Sequence, residues 1–183
     1  MNSTEEFERI VSKHIKRAGI THLMEWLAST DFYTAPASTK YHECFEGGLV
    51  LHSLNVYAQF KKLCKFYEIE TTPESIAIAS LFHDICKIGC YKTEMRWRKN
   101  ANNQWEQYPT YKFEEDYAFG GHGSKSVYLL QNFIQLTPEE ATAINCHMGV
   151  ENGKWEVCDA FRRSPFAFLL HTADMISTIP DLA

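Results

Sequence analysis

The sequence predicts an all-α, mainly α-helical protein, folded as a compact bundle with a β-hairpin-like insertion around residues 91–119. Apolar residues recur at intervals of three and four through most of the chain, which is the period of an amphipathic helix. Several of these stretches open with a threonine or serine directly before a proline, a common helix start. Residues 91–119 instead alternate large and polar residues around an asparagine-rich turn, as a hairpin does.

Two short helices and a long loop are expected before the core of the bundle. Ser3 followed by Glu6 predicts an N-cap and capping box for the first helix. Thr21 predicts the cap of a second helix after a break at Gly19. Residues 30–47 have no periodicity and should form a connecting loop, either functional or merely structural.

The next two helices carry the first candidate site residues. The spacing of apolar residues over 49–67 predicts a long amphipathic helix with His52 in its first turn. Thr72-Pro73 predicts the start of another helix, which is apolar on nearly all sides and should therefore be buried. We expect this helix to run into His83-Asp84.

Two more helices should follow the hairpin, each ending or starting at a histidine. Residues 120–124 predict a glycine-rich turn into a helix with His122 at its mouth. Thr137-Pro138 predicts a helix that stops near Gly149, which places His147 at a helix C-terminus.

The last helix should begin at Ser164-Pro165 and carry Asp174 on its buried side. His171 lies one turn before Asp174, and two roles stay open for it, support of a neighbouring ligand or plain packing, of which packing is favoured. A loop containing Trp155 is expected before this helix.

Composition and charge narrow the possible classes of function. The chain of 183 residues is 45% hydrophobic and 14% aromatic, which excludes a disordered or fibrous protein. Its net charge of −5 argues against broad wrapping of duplex nucleic acid, although a nucleotide or a short single strand remains possible. The six cysteines form no Cys-x-x-Cys pair and should be reduced thiols. With no apolar signal segment or membrane span, a cytoplasmic location is expected.

Four histidines and two aspartates occur one by one at predicted helices or helix mouths, each beside an apolar run that would turn it inward. These candidate metal ligands are His52, His83, Asp84, His122, His147 and Asp174. A buried carboxylate requires compensation, and a cation supplies it most directly. If one carboxylate bridges, the set can hold two divalent ions, and its nitrogen and oxygen atoms suit Mn, Fe, Ni, Co or Zn better than Ca. Three other histidines, His14, His22 and His42, are expected to be surface or structural residues.

Five segments of the chain resemble, in order, the motifs of the HD-domain metal-dependent phosphohydrolase superfamily. Residues 47–56 (GGLVLHSLNV) resemble the first motif and residues 80–89 (SLFHDICKIG) the second. Residues 170–174 (LHTAD) resemble the last motif, while Gly121-His122 and residues 147–149 match the short intermediate ones.

The resemblance covers roughly residues 47–174 and implies both a domain plan and a ligand plan. It implies one HD domain over residues 1–183, with N-terminal helices and a loop in 1–46 and a metal-binding core in 47–179. It further implies that His52, His83, Asp84 and Asp174 hold one metal, and that Asp84, His122 and His147 hold the other. Asp84 would then bridge a two-metal site, and one or two ions would be present.

By this resemblance the protein is expected to hydrolyse a nucleotide or another phosphoester. Divalent ions would polarise the phosphoryl oxygens and lower the pKa of a water molecule. Asp84 and Lys87 are the candidate catalytic residues, with Lys87 facing the substrate to stabilise developing charge. Weaker candidates for phosphate contact are Arg96, Arg98, Lys99 and Lys125, and Trp97, Trp105 and Tyr111 are available to stack on a base.

Two other functions stay open from the sequence. The same ligands form the shell of mixed-valent diiron oxygenases of the superfamily, which resemble inositol oxygenase and activate dioxygen instead of water. A non-catalytic, ligand-binding HD module would keep the fold without turnover. No membrane partner is expected, and the sequence indicates neither the oligomeric state nor the physiological substrate.

Overall fold

The computed structural model describes residues 2–115, 117, 119–150 and 155–179, and within them the protein is mainly α-helical. The elements in chain order are α1 (Ser3–His14), α2 (Ile20–Ala28), α3 (Gly48–Phe66), α4 (Pro73–Leu81), β1 (Tyr91–Lys99), β2 (Trp105–Phe113), α5 (His122–Gln131), α6 (Pro138–Cys146), α7 (Trp155–Arg163) and α8 (Pro165–Ser177). The two strands form one antiparallel sheet. The predicted class and the predicted hairpin are therefore both confirmed.

The first two helices begin one or two residues earlier than the sequence indicated. Asn2, not Ser3, caps α1: its side chain accepts from the Glu5 amide at 2.8 Å, and Glu5 accepts from the Asn2 amide at 3.1 Å. Gly19, not Thr21, precedes α2. Its φ is +90°, and a Cβ there would lie 1.9 Å from the carbonyl oxygen of Phe133, so the position requires glycine.

The helices pack around one apolar core. Helix α3 packs against α8 and α4, α6 packs against α8 and α4, and α5 packs against α6. Fully buried phenylalanines such as Phe7, Phe60 and Phe166 fill the space between them. Burial of a large apolar side chain is worth about 1.5–3 kcal/mol, so this core makes the helices a firm support for polar residues placed among them.

Helix α4 ends at Leu81, which corrects the expectation that it runs into His83-Asp84. Phe82 caps it, and a single 3-10 turn follows at Ile85–Lys87. In a continuing helix the Ser80 carbonyl would accept the Asp84 amide, but here it accepts the Nδ1–H of the His83 ring at 2.7 Å. The His-Asp pair therefore lies in a buried turn between two helical segments rather than on a helix face.

The hairpin joins the end of this turn to α5. Its register pairs Tyr91 with Phe113 at the base and Lys99 with Trp105 at the tip. The tip is closed by the Asn100 amide, which donates to the Gln104 carbonyl at 2.9 Å. Most side chains of the outer half are exposed, so the hairpin projects from the helical body.

Trp155 begins helix α7, so the prediction that it lies in a loop is wrong. The predicted loop otherwise falls partly on residues 151–154, which lie outside the described residues. Only Val157 is buried in this nine-residue helix, and so short an apolar pattern gave a weak periodic signal. In the described part of the chain, no helix combines the length and apolar character needed to cross a bilayer.

Candidate metal centre

Five helices bring the six candidate ligands to one place in the core. His52 lies in the second turn of α3, His83 and Asp84 follow α4, His122 is the first residue of α5, His147 caps the end of α6, and Asp174 lies on α8. His52, His83, Asp84 and His147 are almost completely buried, and Asp174 is 9% exposed. The predicted positions of His122 at a helix mouth and His147 at a helix C-terminus are confirmed.

The two carboxylate oxygens of Asp84 face different histidines. Oδ2 lies 3.3 Å from His83 Nε2 and 3.7 Å from His52 Nε2. Oδ1 lies on the other side, 3.4 Å from His147 Nε2. Asp84 thus stands between two groups of imidazoles, which is the arrangement that a bridging carboxylate requires.

Asp174 completes the group on the Oδ2 side. Its Oδ1 lies 3.0 Å from His52 Nε2 and 3.7 Å from His83 Nε2. The nearer pair is close but is not aligned as a hydrogen bond, since His52 Nε2 has no hydrogen-bond partner. Ligand bonds of about 2.0–2.2 Å place two ligands of one ion about 3–4 Å apart, so these separations suit a shared ion better than a direct hydrogen bond.

His122 lies near Asp84 at the start of α5, where α5 and α6 approach closely. A Cβ on Gly123 would lie 2.3 Å from the Asn145 carbonyl oxygen, so only glycine permits this contact. Side-chain ligand atoms of His122, Asp84 and Cys86 lie within 4.8 Å of one another. Burial lowers the pKa of His122 and raises that of the Cys86 thiol, which leaves a neutral imidazole and a protonated thiol at this side.

Main-chain carbonyls fix the tautomers of two central histidines. His83 Nδ1 lies 2.7 Å from the Ser80 carbonyl, and His147 Nδ1 lies 2.7 Å from the Ile144 carbonyl. A carbonyl only accepts, so both Nδ1 atoms carry the proton and both Nε2 atoms present a lone pair in the neutral ring. Metal-binding histidines are oriented in this way.

The buried polar atoms that lack hydrogen-bond partners concentrate at this centre. Five of the eight in the described residues are ring nitrogens of the candidate ligands, namely His52 Nδ1 and Nε2, His83 Nε2, His122 Nδ1 and His147 Nε2. Buried polar groups in native proteins are nearly always paired. Ligation is the most direct way to satisfy this set, so the residues present fit a divalent ion.

Electrostatic interactions keep both aspartates ionised. Burial alone would raise the pKa of Asp84, but Lys87 and then His83 outweigh it and hold the pKa well below its usual value. Asp174 is likewise buried, and the His52 and His83 rings hold its pKa below the usual range. Burial works to lower the pKa of His83, yet the adjacent Asp84 carboxylate outweighs it and the pKa is raised.

Lys87 is buried with its ammonium group against the centre. Its Nζ lies 2.7 Å from Asp84 Oδ2 and donates to the Ala37 carbonyl at 2.8 Å. The same carbonyl accepts the hydroxyl of Tyr91 at 2.8 Å. Burial opposes the charge, but the Asp84 carboxylate dominates and raises the pKa of Lys87, so it stays protonated.

The remaining predicted contact residues lie outside the centre. Arg96, Arg98 and Lys99 are exposed on the hairpin, where Arg96 pairs with Glu94 and Arg98 with Glu106. Lys99 Nζ lies 5.7 Å from the centre of the Trp105 ring. Among the stacking candidates, Trp97 and Trp105 are exposed and Tyr111 is half-buried beside Tyr91.

Lys125 occupies an intermediate position on α5. It pairs with Glu115 at 2.9 Å and lies 3.4 Å from the sulfur of Cys90. The Nδ1–H of His171 donates to the His147 carbonyl at 2.6 Å, and the His171 ring stacks on Phe161. His171 therefore supports the chain at His147 while packing, as expected, against an aromatic neighbour.

Two residues of the 30–47 loop reach the centre although the sequence gave them no role. The His42 ring is 4.9 Å from the His52 ring, and Glu43 Oε2 is 3.9 Å from His52 Nδ1. Both side chains end in buried atoms without hydrogen-bond partners, His42 Nε2 and Glu43 Oε2. His42 was expected to be a surface or structural residue; it is half-buried, and burial lowers its pKa to about 4. Only the adjacency of two ligand-type residues could have signalled this.

Four overlapping groups of side chains in the described residues could hold a metal ion. They are His42–Glu43–His52, His52–His83–Asp174, His83–Asp84–His147 and Asp84–Cys86–His122. The second and third contain five of the six predicted ligands, and the fourth contains His122. A metal-binding capacity is thus compatible with the structure.

Comparisons with known proteins assign no family to the chain. A scan against protein-family models, a search of curated proteins and a search of solved structures gave no match.

Proposed function

We propose that this protein is a metal-dependent phosphohydrolase that acts on a nucleotide or another phosphoester. One observation carries the proposal: Asp84 stands between buried imidazoles, with Oδ2 directed to His83 and His52, Oδ1 directed to His147, and a buried ammonium group 2.7 Å from Oδ2. A shell of nitrogen and oxygen ligands with a cation beside it is suited to anionic oxygen ligands such as those of a phosphate.

The residues would divide the shell into two ion positions. His52, His83 and Asp174 would hold one ion and His122 and His147 the other, with Asp84 shared between them. When bound, divalent ions polarise phosphoryl oxygens and lower the pKa of water, which supports hydrolysis near neutral pH. Asp84 and Asp174, kept ionised by their neighbours, provide the negative charge that retains such ions in the core.

Lys87 would bind the anionic substrate. An ammonium group has three N–H donors, and Asp84 and Ala37 account for two of them. The third can donate to a phosphoryl oxygen as negative charge develops there. The ion pair with Asp84 fixes the ammonium group of Lys87 before the substrate binds, so the group need not reorganise on binding. A fixed cation at this place favours a phosphoester over a neutral substrate.

The test begins with metal-free protein reconstituted separately with Mn, Fe, Ni, Co and Zn. Each form is incubated under argon with nucleotides, other phosphomonoesters and phosphodiesters, and the products are measured. Asp84→Asn keeps the shape of the side chain but removes its charge. Asp159→Asn makes the same change at an exposed carboxylate of α7, which pairs with Arg162 at 2.9 Å.

We expect metal-dependent hydrolysis by the native protein and by Asp159→Asn, and its loss in Asp84→Asn. Oxygen uptake by the iron form in a separate aerobic sample, with no hydrolysis by any metal form under argon, would instead assign an oxygenase. Nucleotide binding that persists in Asp84→Asn, with no turnover in either protein, would assign a non-catalytic module. Either of these two results contradicts the proposal.

A further inference from the structure

The three most buried histidines of the centre differ at Nδ1. The Ser80 and Ile144 carbonyls, each 2.7 Å away, hold Nδ1 of His83 and His147. The Nδ1 of His52 is buried without a hydrogen-bond partner. Because His52 lies inside α3, the carbonyls around it are engaged in helical hydrogen bonds. No carbonyl of α3 is a partner of its Nδ1, so this nitrogen is open to an acceptor from another segment.

Glu43 presents a carboxylate oxygen to this nitrogen. Its Oε2 lies 3.9 Å from His52 Nδ1, is buried, and has no hydrogen-bond partner of its own. The other oxygen, Oε1, accepts a hydrogen bond from Asn55 Nδ2 at 3.2 Å. Asn55 lies on α3 one turn beyond His52, so the helix that carries the imidazole also orients the carboxylate toward it.

The backbone around Glu43 is held tightly in place. Its φ is +37°, in the left-handed region that residues with a side chain rarely adopt. Its carbonyl accepts the Ala37 amide at 3.0 Å, and a Cβ on Gly48 would lie 1.9 Å from that carbonyl oxygen. Unusual backbone conformations that are held by several contacts cluster at functional sites. The position of Glu43 is thus fixed by the loop and by the start of α3 together.

We propose that Glu43 is the positioning residue of His52: its carboxylate accepts the Nδ1–H of the ring and so presents Nε2 to Asp84 and Asp174. The inference rests on the proposed metal centre and adds a residue that acts through one of its ligands. Glu43 Oε2 and His52 Nδ1 are both buried without a partner, and a small movement of one side chain would bring them into a hydrogen bond with each other. A carboxylate behind a ligating histidine fixes its tautomer and increases its basicity.

A ligand role for Glu43 is less consistent with the chemistry of the ring. If His52 Nδ1 shared an ion with Glu43 and His42 while Nε2 bound the central one, the imidazole would lose both of its protons. A neutral imidazole keeps one N–H and offers one lone pair. The hydrogen bond uses that N–H and leaves Nε2 free for the centre.

The test measures zinc binding and the His52 ring proton in the same samples. Zinc is diamagnetic, so the Nδ1–H of His52 can be followed by nitrogen-15 NMR, while competition with a chelator gives the zinc affinity. Glu43→Ala removes the acceptor, Glu43→Gln keeps an amide oxygen in its place, and Asn55→Ala frees the carboxylate without removing it. Glu46→Ala is the matched control, because Glu46 is an exposed carboxylate of the same loop.

We expect Glu43→Ala to weaken one zinc position about 10–100-fold and to expose the His52 Nδ1 proton to fast exchange. Glu43→Gln and Asn55→Ala should lie between Glu43→Ala and the native protein, and Glu46→Ala should match the native protein. The two intermediate variants decide the question if Glu43→Ala does not fold, which circular dichroism and a melting curve will reveal.

Three results would overturn the inference, and they are distinguishable. Native zinc affinity and slow exchange of the His52 proton in folded Glu43→Ala would contradict the role of Glu43 and leave the metal centre standing. A third zinc ion in the native protein, lost in both Glu43→Ala and His42→Ala, would make Glu43 a ligand instead. Failure of the native protein to bind zinc would remove the metal centre itself. Zinc binding without hydrolysis would contradict the proposed function and leave the role of Glu43 intact.

Discussion

The candidate metal centre and the β1–β2 hairpin both concentrate charge, but they compensate it in opposite ways. In the centre, Asp84, Asp174 and Lys87 are buried, and ring nitrogens around them lack hydrogen-bond partners. On the hairpin, Arg96 and Arg98 are exposed and each pairs with a glutamate of the same hairpin. Charge buried among apolar helices requires a specific partner, whereas charge in water requires none. The buried charges of the centre, and not those of the hairpin, are therefore the ones that call for a bound partner.

The strongest test of this difference is the removal of single ligands. Asp84→Ala should abolish ion binding at both positions, because its two oxygens serve both sides. His83→Ala should weaken only the position shared with His52 and Asp174. Metal analysis after equilibrium dialysis measures the bound ions per chain, with Asp159→Asn as the surface control. Equal and partial loss of metal in both variants would contradict the bridging role of Asp84.

The second test removes the buried ammonium group. Lys87→Met has a similar length but leaves the Asp84 carboxylate buried without its nearest cation. Loss of one partner of a buried ion pair costs about 3–5 kcal/mol, so the metal-free protein should lose that much stability toward urea. Divalent ions should restore much of it, because they compensate the same carboxylate. A variant with native stability in a chelator would show that Lys87 does not neutralise the centre.

The third test uses pH on metal-free protein. The pKa of Asp84 is lowered from its ordinary value of 3.8, so its contribution to stability is present above that value and is lost as the pH falls. The pKa of His83 is raised from 6.5, so its contribution is complete below that value and is lost as the pH rises through the folded-state pKa. Metal-free protein should be most stable between these limits.

Urea midpoints measured across pH in a chelator check this window. Asp84→Asn should weaken both edges, because the carboxylate that stabilises the His83 imidazolium is then absent; Asp174, whose pKa is also lowered, retains its own share of the acid edge. A native profile in Asp84→Asn would assign the pH dependence to other groups.

The smallest effect is expected on the hairpin. Glu106→Gln breaks an exposed pair with Arg98 and should change the free energy of unfolding by less than about 1 kcal/mol. Hydrogen bonds from Lys112 and Lys92 lower the pKa of the half-buried Glu114 to about 2, and 1 M salt should return this pKa toward its ordinary value. An NMR titration of the carboxyl carbon measures this shift. If the pKa of Glu114 does not change in 1 M salt, the carboxylate is less accessible to solvent than the structure indicates.

Much of the helical framework could be predicted because its signals are local. A threonine or serine before a proline marks the start of three helices: Thr72-Pro73 for α4, Thr137-Pro138 for α6 and Ser164-Pro165 for α8. In each, the side chain of the capping residue accepts a hydrogen bond from a main-chain amide of the first turn. Where local signals competed, the prediction failed. Thr21 looked like a cap, yet the close approach of Phe133 selects Gly19 for the start of α2.

The six candidate ligands could be named from the sequence because each belongs to a short motif, but the positions of His42 and Glu43 could not. They lie in a loop without periodicity, and they reach His52 because the Ser38 hydroxyl bonds the His42 backbone and the Ala37 amide bonds the Glu43 carbonyl. A loop of this kind has no repeating pattern, so its path depends on individual contacts.

The sequence by itself determined the helical class and the hairpin and named the residues of the candidate metal shell, since these depend on spacing and on neighbouring residues. Only the tertiary structure decided that α4 ends before His83, that the two oxygens of Asp84 face different histidines, and that Glu43 lies behind His52. Each of these features depends on the distance between atoms from separate segments. Such distances are set by the packing of the whole core rather than by any one stretch of the chain.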